Sequence, residues 1–391
     1  MIAVLSPARK LMRLFAVVTG LALLSACQPV TVGGGGPTIN TSKPVPVALL
    51  VPRGSGQASD EVLAQALENA ARLAIADLQG VQVDLRVYAT AGDSQQAASQ
   101  AVAAVNDGAR IILGPVYGEA ANAAGLAVAN RNINLLSFSN NTTIAGGNVF
   151  VLGPTFDNTA QRLTRFAAAQ GKSNIVVVHG QDVAGQLGRN AVERAIAGSG
   201  ARLAGVVPYE LSQQQVINAV PNVKASVEAS AADAVFFTST TAGALPLFTQ
   251  LLPENGVKSP EVQFIGLTRW DIPSQTLALP GVQNGWFALP DPVMSERFQS
   301  RYQTAYGSSP HPIAGLAYDG IAAIGALVAA GKSDALTGAA LTQPAGFQGV
   351  GGIFRLLRDG TNERGLAVAT IQNKQVVVID PAPRSFSGAG L

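Results

Sequence analysis

Among its 391 residues the chain has one cysteine, two histidines and two tryptophans. With no second cysteine there is no disulfide within the chain, and the fold must hold by packing alone. Two histidines, His179 and His311, are too few for a metal site of the usual kind, which gathers three or four clustered ligands. No nucleophile turn of the form G-x-S-x-G occurs, and neither a Walker phosphate loop nor a dinucleotide fingerprint is present. His179 stands three residues before Asp182. An acid/base pair there competes with a plainer reading, in which the aspartate caps a helix. These absences predict a protein that is not an enzyme, with no catalytic residue, no cofactor and no metal.

The one cysteine lies in "LALLSACQPVTVGGGG", residues 21 to 36. Before it come Arg9, Lys10 and Arg13, an apolar run from Leu14 to Leu24, and the small residues Ser25 and Ala26. That order is the pattern of an export signal, and the apolar run is too short to cross a bilayer core of roughly 30 Å as a helix. Leu24-Ser25-Ala26-Cys27 resembles the lipobox of bacterial lipoproteins, in which the cysteine is lipidated and becomes the new N-terminus. Cys27 is therefore the expected lipidation site, with the membrane touched only through that anchor. Gln28 stands where an aspartate would signal retention at the inner membrane, so the same resemblance implies sorting to the outer membrane, facing the periplasm. From Gln28 to Pro44 the run is polar and rich in Gly and Pro, which predicts a flexible tether.

Removing residues 1–26 takes away three basic residues and no acidic one, leaving 23 basic against 24 acidic residues. A chain so nearly neutral, with no basic patch, gives no support for a nucleic-acid partner. Its length is enough for two domains.

From residue 45 apolar runs alternate with helical stripes. "VPVALLVP" (45–52) reads as a strand, and Val62, Leu63, Ala66, Leu67, Ala70, Leu73 and Ala74 mark one helix face. The alternation continues to "INLLSFS" (133–139), then begins again after "NVFVLGPTFDN" (148–158) and runs to "EVQFIGL" (261–267). Continuous apolar strands separated by helices predict parallel sheets covered on both faces, hence two doubly wound α/β units. Residues 352–380 read instead as antiparallel strands, with turns at Asp359-Gly360 and Asn373-Lys374.

In doubly wound sheets ligands bind beyond the carboxyl ends of the strands. The loops there are rich in hydroxyls, amides and glycine, suited to a polar small molecule, although the same groups cap helices. Trp270, in the loop "LTRWD", is the better of the two tryptophans for stacking on a ligand, because Trp286 lies in an apolar strand where core packing is expected.

The order of elements, with "VALLVPRGSG", "IILGPVYGEAANAAGLAVANRNINLLSFS", "VFVLGPTFDNTAQRLTRFA" and "FQSRYQTAYGSSPHPIAGLAYDGIAAIGAL", resembles the type 1 periplasmic binding-protein fold of the leucine/isoleucine/valine-binding family, over about residues 45–380. The resemblance implies two lobes joined by three crossings, near 154–157, 280–291 and 342–352. Lobe 1 would be 45–154 plus 291–342, lobe 2 155–290 plus 343–380, and 381–391 a disordered tail. Amino-acid binders of that family hold the carboxylate with hydroxyls and the ammonium with an acid. The matching positions here are Gly118, Asn141 and Thr268, with Ala184 where an aromatic ring often packs, so the amino-acid signature is missing.

The same fold occurs in outer-membrane lipoproteins that activate penicillin-binding proteins, and the lipobox, "LLVPRGSGQ" and "VLGPTFDNTAQRL" are similar to theirs. The chain has no helical-repeat domain before the fold. Two expectations follow. The preferred one is a lipid-anchored regulator of peptidoglycan synthesis, acting through contact with a penicillin-binding protein. The alternative is the solute-binding lipoprotein of an ABC importer, working with a permease and closing on an amino acid or similar small polar ligand. The expected ligand-binding residues are Tyr117, Gly118, Ser139, Asn140, Asn141, His179, Asp182, Thr240, Thr268 and Trp270.

Overall fold

The computed structural model describes residues 35–386. The expected signal segment, the lipidation site at Cys27, the first part of the tether and the last five residues lie outside the described residues.

The first run of elements is β1 (Val45–Val51), α1 (Ala58–Asp77), β2 (Val83–Ala89), α2 (Ser94–Asn106), β3 (Ile111–Leu113), α3 (Gly118–Val128), β4 (Leu135–Ser137) and β5 (Val149–Val151). A second run follows: α4 (Phe156–Ala169), β6 (Asn174–Gly180), α5 (Val183–Ala197), β7 (Arg202–Tyr209), α6 (Gln213–Ser230), β8 (Ala234–Phe237), α7 (Leu245–Glu254), β9 (Gln263–Gly266) and β10 (Trp286–Leu289). The chain ends with α8 (Pro292–Tyr306), α9 (Gly315–Ala329), α10 (Gly338–Leu341), β11 (Phe347–Gly349), β12 (Gly352–Leu356), β13 (Asn362–Arg364), β14 (Ala367–Gln372) and β15 (Gln375–Asp380).

The first sheet has the order β2-β1-β3-β4-β5 and is parallel throughout. In the second, β7-β6-β8-β9-β10 repeats that order, and β14 and β15 extend it in antiparallel fashion. Why the strands read as continuous apolar runs is visible in their alternation. Val47, Leu49 and Val51 of β1 face a core shared with α1 and α9, while Ala48 and Leu50 face the alanine-rich sides of α2 and α3. In β8, Val235 and Phe237 point to the α6 and α7 side, and Ala234 and Phe236 to the α4 and α5 side. A sheet covered on both faces leaves few positions for polar side chains in its central strands. The β14–β15 hairpin turns through Asn373 and Lys374, both at positive φ, as a two-residue turn matched to strand twist requires.

Three passages join the sheets: β5 to α4, β10 to α8, and β13 to β14. The third lies at 364–367, later in the chain than the expected 342–352. Strands β11 to β13 form a separate three-stranded antiparallel sheet, and their apolar side chains Phe347, Phe354 and Leu356 are buried in the first lobe's core. Residues 347–356 therefore pack with lobe 1, because that is where their hydrophobic surface is covered. The passages are tied to one another and to the β11–β12 turn. Asn362 donates to the carbonyls of Val151 (2.8 Å) and Gly153 (2.9 Å), Asn158 donates to Asn362 O (2.9 Å), and Asp291 N donates to Gly351 O (2.8 Å).

Three further expectations are corrected. Residues 35–44 do not hang free as tether: Ile39 is buried in the first core, its N–H bonds Ser333 O at 2.9 Å, and Gly36 lies so close to Thr337 that a Cβ would meet its Cα at 2.4 Å. Residues 381–386 of the expected disordered tail pack against the fold: Phe386 lies under the Arg355 guanidinium at 4.6 Å, and Ala382 is buried. Val62 is 63% exposed, outside the buried stripe of α1. Among the described residues no helix is long and apolar enough to cross a membrane.

Candidate functional site between the lobes

In both lobes the strand order reverses direction at the second strand, so the switch points where such sheets hold ligands are the carboxyl ends of β1/β3 and of β6/β8. Most of the expected residues lie at or beside these ends, and the structure shows how several of the polar groups there are used.

On the first lobe, Tyr117 immediately precedes α3, and its hydroxyl donates to the buried carboxylate of Asp60. That bond, with burial and the aspartate's charge, pushes the phenol up to about 12. Gly118, Ser139 and Asn141 come together. A Cβ on Gly118 would stand 3.2 Å from Asn141 Nδ2 and 3.4 Å from Ser139 Oγ. Ser139 Oγ accepts from Asn141 N at 3.1 Å. Asn141 Oδ1 accepts from the Thr143 N–H (2.9 Å) and hydroxyl (2.8 Å), capping a short 3-10 turn. Asn140 is exposed beside them.

On the second lobe, His179 is buried, and its Nδ1 lies 2.8 Å from Gly180 O. A carbonyl can only accept, so this nitrogen carries the proton. Asp182 caps α5, accepting from Gly185 N at 3.3 Å; the helix-cap reading is the one the geometry displays. Thr268 Oγ1 donates to Ser239 O at 3.3 Å, and Thr240 is exposed in the turn entering α7. Nearby, burial pushes the Tyr209 hydroxyl up to about 12, the Asp182 charge adds to the rise, and Ser239 works against it.

Trp270 departs from expectation. It is fully buried, stacked on Phe287 with centroids 6.5 Å apart, and fills the space left by two glycines: a Cβ on Gly266 or Gly285 would come within 2.0 Å of the indole. It is a core residue of lobe 2 and cannot stack on a ligand. Trp286 is the half-buried one, set edge-on against Phe166 at 4.9 Å.

A cavity of about 420 Å³ spans the lobes on the hinge side of these loops. All three passages line it, through Pro154, Pro290, Arg364 and Leu366, with Gly351 of the β11–β12 turn beside them. Lobe 1 adds Ser295, Phe298 and Gln299 from α8, the 309–313 loop with His311, and Leu316 and Asp319 from α9; lobe 2 adds Arg269 and Ile272. A larger concavity of about 680 Å³, bordered by Arg297, Arg301 and Tyr318, receives nothing from the second lobe.

Two ion pairs border the cavity. Arg269 clasps Asp271 through Nε (2.9 Å) and Nη2. Asp319 is buried, with Oδ2 3.1 Å from Arg364 Nη1 and Oδ1 accepting from Val350 N at 2.8 Å. Gly349 permits that approach, since a Cβ there would meet Asp319 Oδ1 at 2.3 Å. Burial pushes the Asp319 carboxyl above the usual range, against the pull of Arg364 and the Val350 N–H. Arg364 also bonds Leu152 O and lies over the Phe354 ring at 5.2 Å. Its Nε has no acceptor among the described residues. Partial burial pushes the His311 imidazole below its ordinary value, and its Nδ1 accepts from Ile313 N at 3.4 Å.

None of the expected residues lines this cavity. Of its polar groups, Arg269 stands next to Trp270 in sequence, and the "SPHPI" loop carries a histidine between two prolines; nothing in a single sequence joined the two.

Two hinged α/β lobes with a cavity across their passages define the type 1 binding-protein architecture. The chain belongs to the periplasmic binding protein family, whose model matches residues 44–375. Among solved structures it is similar to a Rhodospirillum rubrum protein described as a branched-chain amino acid ABC transporter (19% identity, TM-score 0.73, covering 86% of this chain and 100% of that one). It is also similar to a Streptococcus pneumoniae branched-chain amino acid substrate-binding protein in complex with isoleucine (16%, 0.55, 87% and 100%). A third is a Rhodopseudomonas palustris solute-binding protein in complex with 3,4-dihydroxybenzoic acid (17%, 0.54, 86% and 96%). No curated protein matches.

Proposed function

We propose that this chain is the solute-binding component of an ABC importer and holds a small ligand in the cavity between its lobes. The observation that carries this reading is that the cavity is walled by both lobes and all three passages. A molecule seated there touches the segments about which the lobes would rotate, so occupancy and lobe closure are coupled. The solved relatives support it, being ABC transporter binding proteins that hold an amino acid in one case and an aromatic acid in another. The alternative expectation is thus favoured over the penicillin-binding protein activator, which rests on sequence phrases alone. The partner is then a membrane permease, and Cys27 is the point of lipid attachment that keeps the protein at the membrane facing the periplasm.

Thermal unfolding against a library of free amino acids, small carboxylates, amides and sugars tests this. A ligand at a hundred times its Kd stabilises by about 2.7 kcal/mol, a clear rise in Tm. No rise with any class, together with capture of a penicillin-binding protein, would return the activator reading. Lipid attachment is checked by labelling with a palmitate analogue, which Cys27→Ser should abolish.

A further inference from the structure

Resting on the solute-binding reading, we infer that the cavity selects a small organic acid with an apolar body and no amino group, its carboxylate held by Arg269 and His311.

The argument is an inventory of donors and acceptors. Arg269 spends Nε and Nη2 on Asp271, and its Nη1 has no partner among the described residues. His311 uses Nδ1 as an acceptor from Ile313 N, so the neutral ring carries its proton on Nε2 as a donor. Both residues line the cavity, one from each lobe. The acceptor side offers neutral oxygens, from Ser295, Gln299 and Ser309, but no free charge. Asp319 is the only carboxylate in the lining, and its two oxygens are already taken by Val350 N and Arg364. Asp271 is clasped by Arg269 and stands outside the lining.

A ligand carboxylate therefore meets spare N–H groups, whereas an ammonium meets only neutral oxygens and would sit desolvated without a counter-charge. The apolar half of the ligand has its own walls. Ile272 is 55% exposed at the cavity on lobe 2, and Ile313, Leu316 and Leu366 border it with several prolines. Closure over an apolar body removes Ile272 from water; closure over a sugar would set hydroxyls against these side chains. The first lobe's Ser139 and Asn141, which a family amino acid would use, are engaged with their own loop.

Matched probes test this on the mature chain by calorimetric titration: 3-phenylpropanoate, phenylalanine and 3-phenylpropanamide, with 4-methylpentanoate, leucine and 4-methylpentanamide as the aliphatic set. The acid of at least one set is expected to bind, about ten- to a hundredfold more tightly than its amide or its amino acid, the difference a charge-assisted hydrogen bond makes. Arg269→Lys retains a cation for Asp271 but loses the forked donor, and is expected to weaken the acid about tenfold or more and the amide, a single neutral acceptor, by less. His311→Gln, which keeps a neutral donor, should weaken it less than His311→Ala. Tighter binding of phenylalanine or leucine than of the acids would overturn the inference and leave the solute-binding reading standing. Equal binding of acid and amide, or an Arg269→Lys protein that melts normally and binds the acid unchanged, would also overturn it. Silence across all six probes would count against both this inference and the reading beneath it.

Discussion

The strand-end loops and the hinge-side cavity both lie between the lobes, and both are polar, but they differ in what their polar groups have left to offer. In the loops, Asp182 is occupied as a helix cap, Asn141 caps a 3-10 turn, Ser139 accepts from the same loop and Tyr117 is bonded to Asp60; the buried Thr238 hydroxyl at the end of β8 is an exception, without a partner among the described residues. Around the cavity, Arg269 Nη1 and His311 Nε2 have no partners among the described residues, and Arg364 Nε has no acceptor. A count of hydroxyls and amides measures how polar a loop is. Availability is what remains after the backbone's own unpaired groups have been satisfied, and short loops that start helices consume most of it.

Several experiments can break or sharpen that contrast. The largest effect is expected at Trp270, the loop residue that turned out to be core. Trp270→Ala should cost about 3–5 kcal/mol in chemical denaturation, as for a fully buried large side chain; a loss below about 1 kcal/mol, with ligand affinity reduced, would restore it to the site. Next comes Asp319 at the hinge. Asp319→Ala should cost about 1–3 kcal/mol, since the buried Val350 N–H and Arg364 lose their acceptor altogether.

The same variant has a pH signature. The folded carboxyl titrates above its unfolded value because burial disfavours the charge. The stability that Asp319 contributes on this account is therefore full below the ordinary aspartate range and is lost as pH rises through the higher folded value. Comparing unfolding of the two proteins across that window should show a downward slope in the native chain that the variant lacks. Asp182→Ala should cost about 1 kcal/mol, as caps do, without altering the affinity for any ligand. Thr240→Ala, at an exposed turn, should move stability by no more than about 0.5 kcal/mol. If Thr240→Ala instead abolishes ligand binding, the loops, and not the cavity, are the site.

Much of the fold was legible because its signals are local. The apolar runs of β1, β6 and β8 declare strands buried on both faces, and Asn373-Lys374 declares a two-residue hairpin turn. The stripe of α1 was legible too, apart from exposed Val62. The candidate site was much less so. Trp270 sits in a segment that reads as a polar loop, and only the vacancies at Gly266 and Gly285, one before it and one fifteen residues beyond, draw the ring into the core. The third passage was misplaced for a similar reason: a run of antiparallel strands does not say which lobe covers Phe347 and Phe354.

The sequence by itself determined the alternation of strand and helix, the family, and the expectation of an anchor at Cys27, because each is written in residues adjacent along the chain. Tertiary structure decided which polar groups remain free, where Trp270 goes, and that Arg269 and His311, forty-two positions apart, line one cavity. Those outcomes depend on how the lobes and their three passages pack together, and packing between distant segments leaves no periodicity in the sequence for a reader to find.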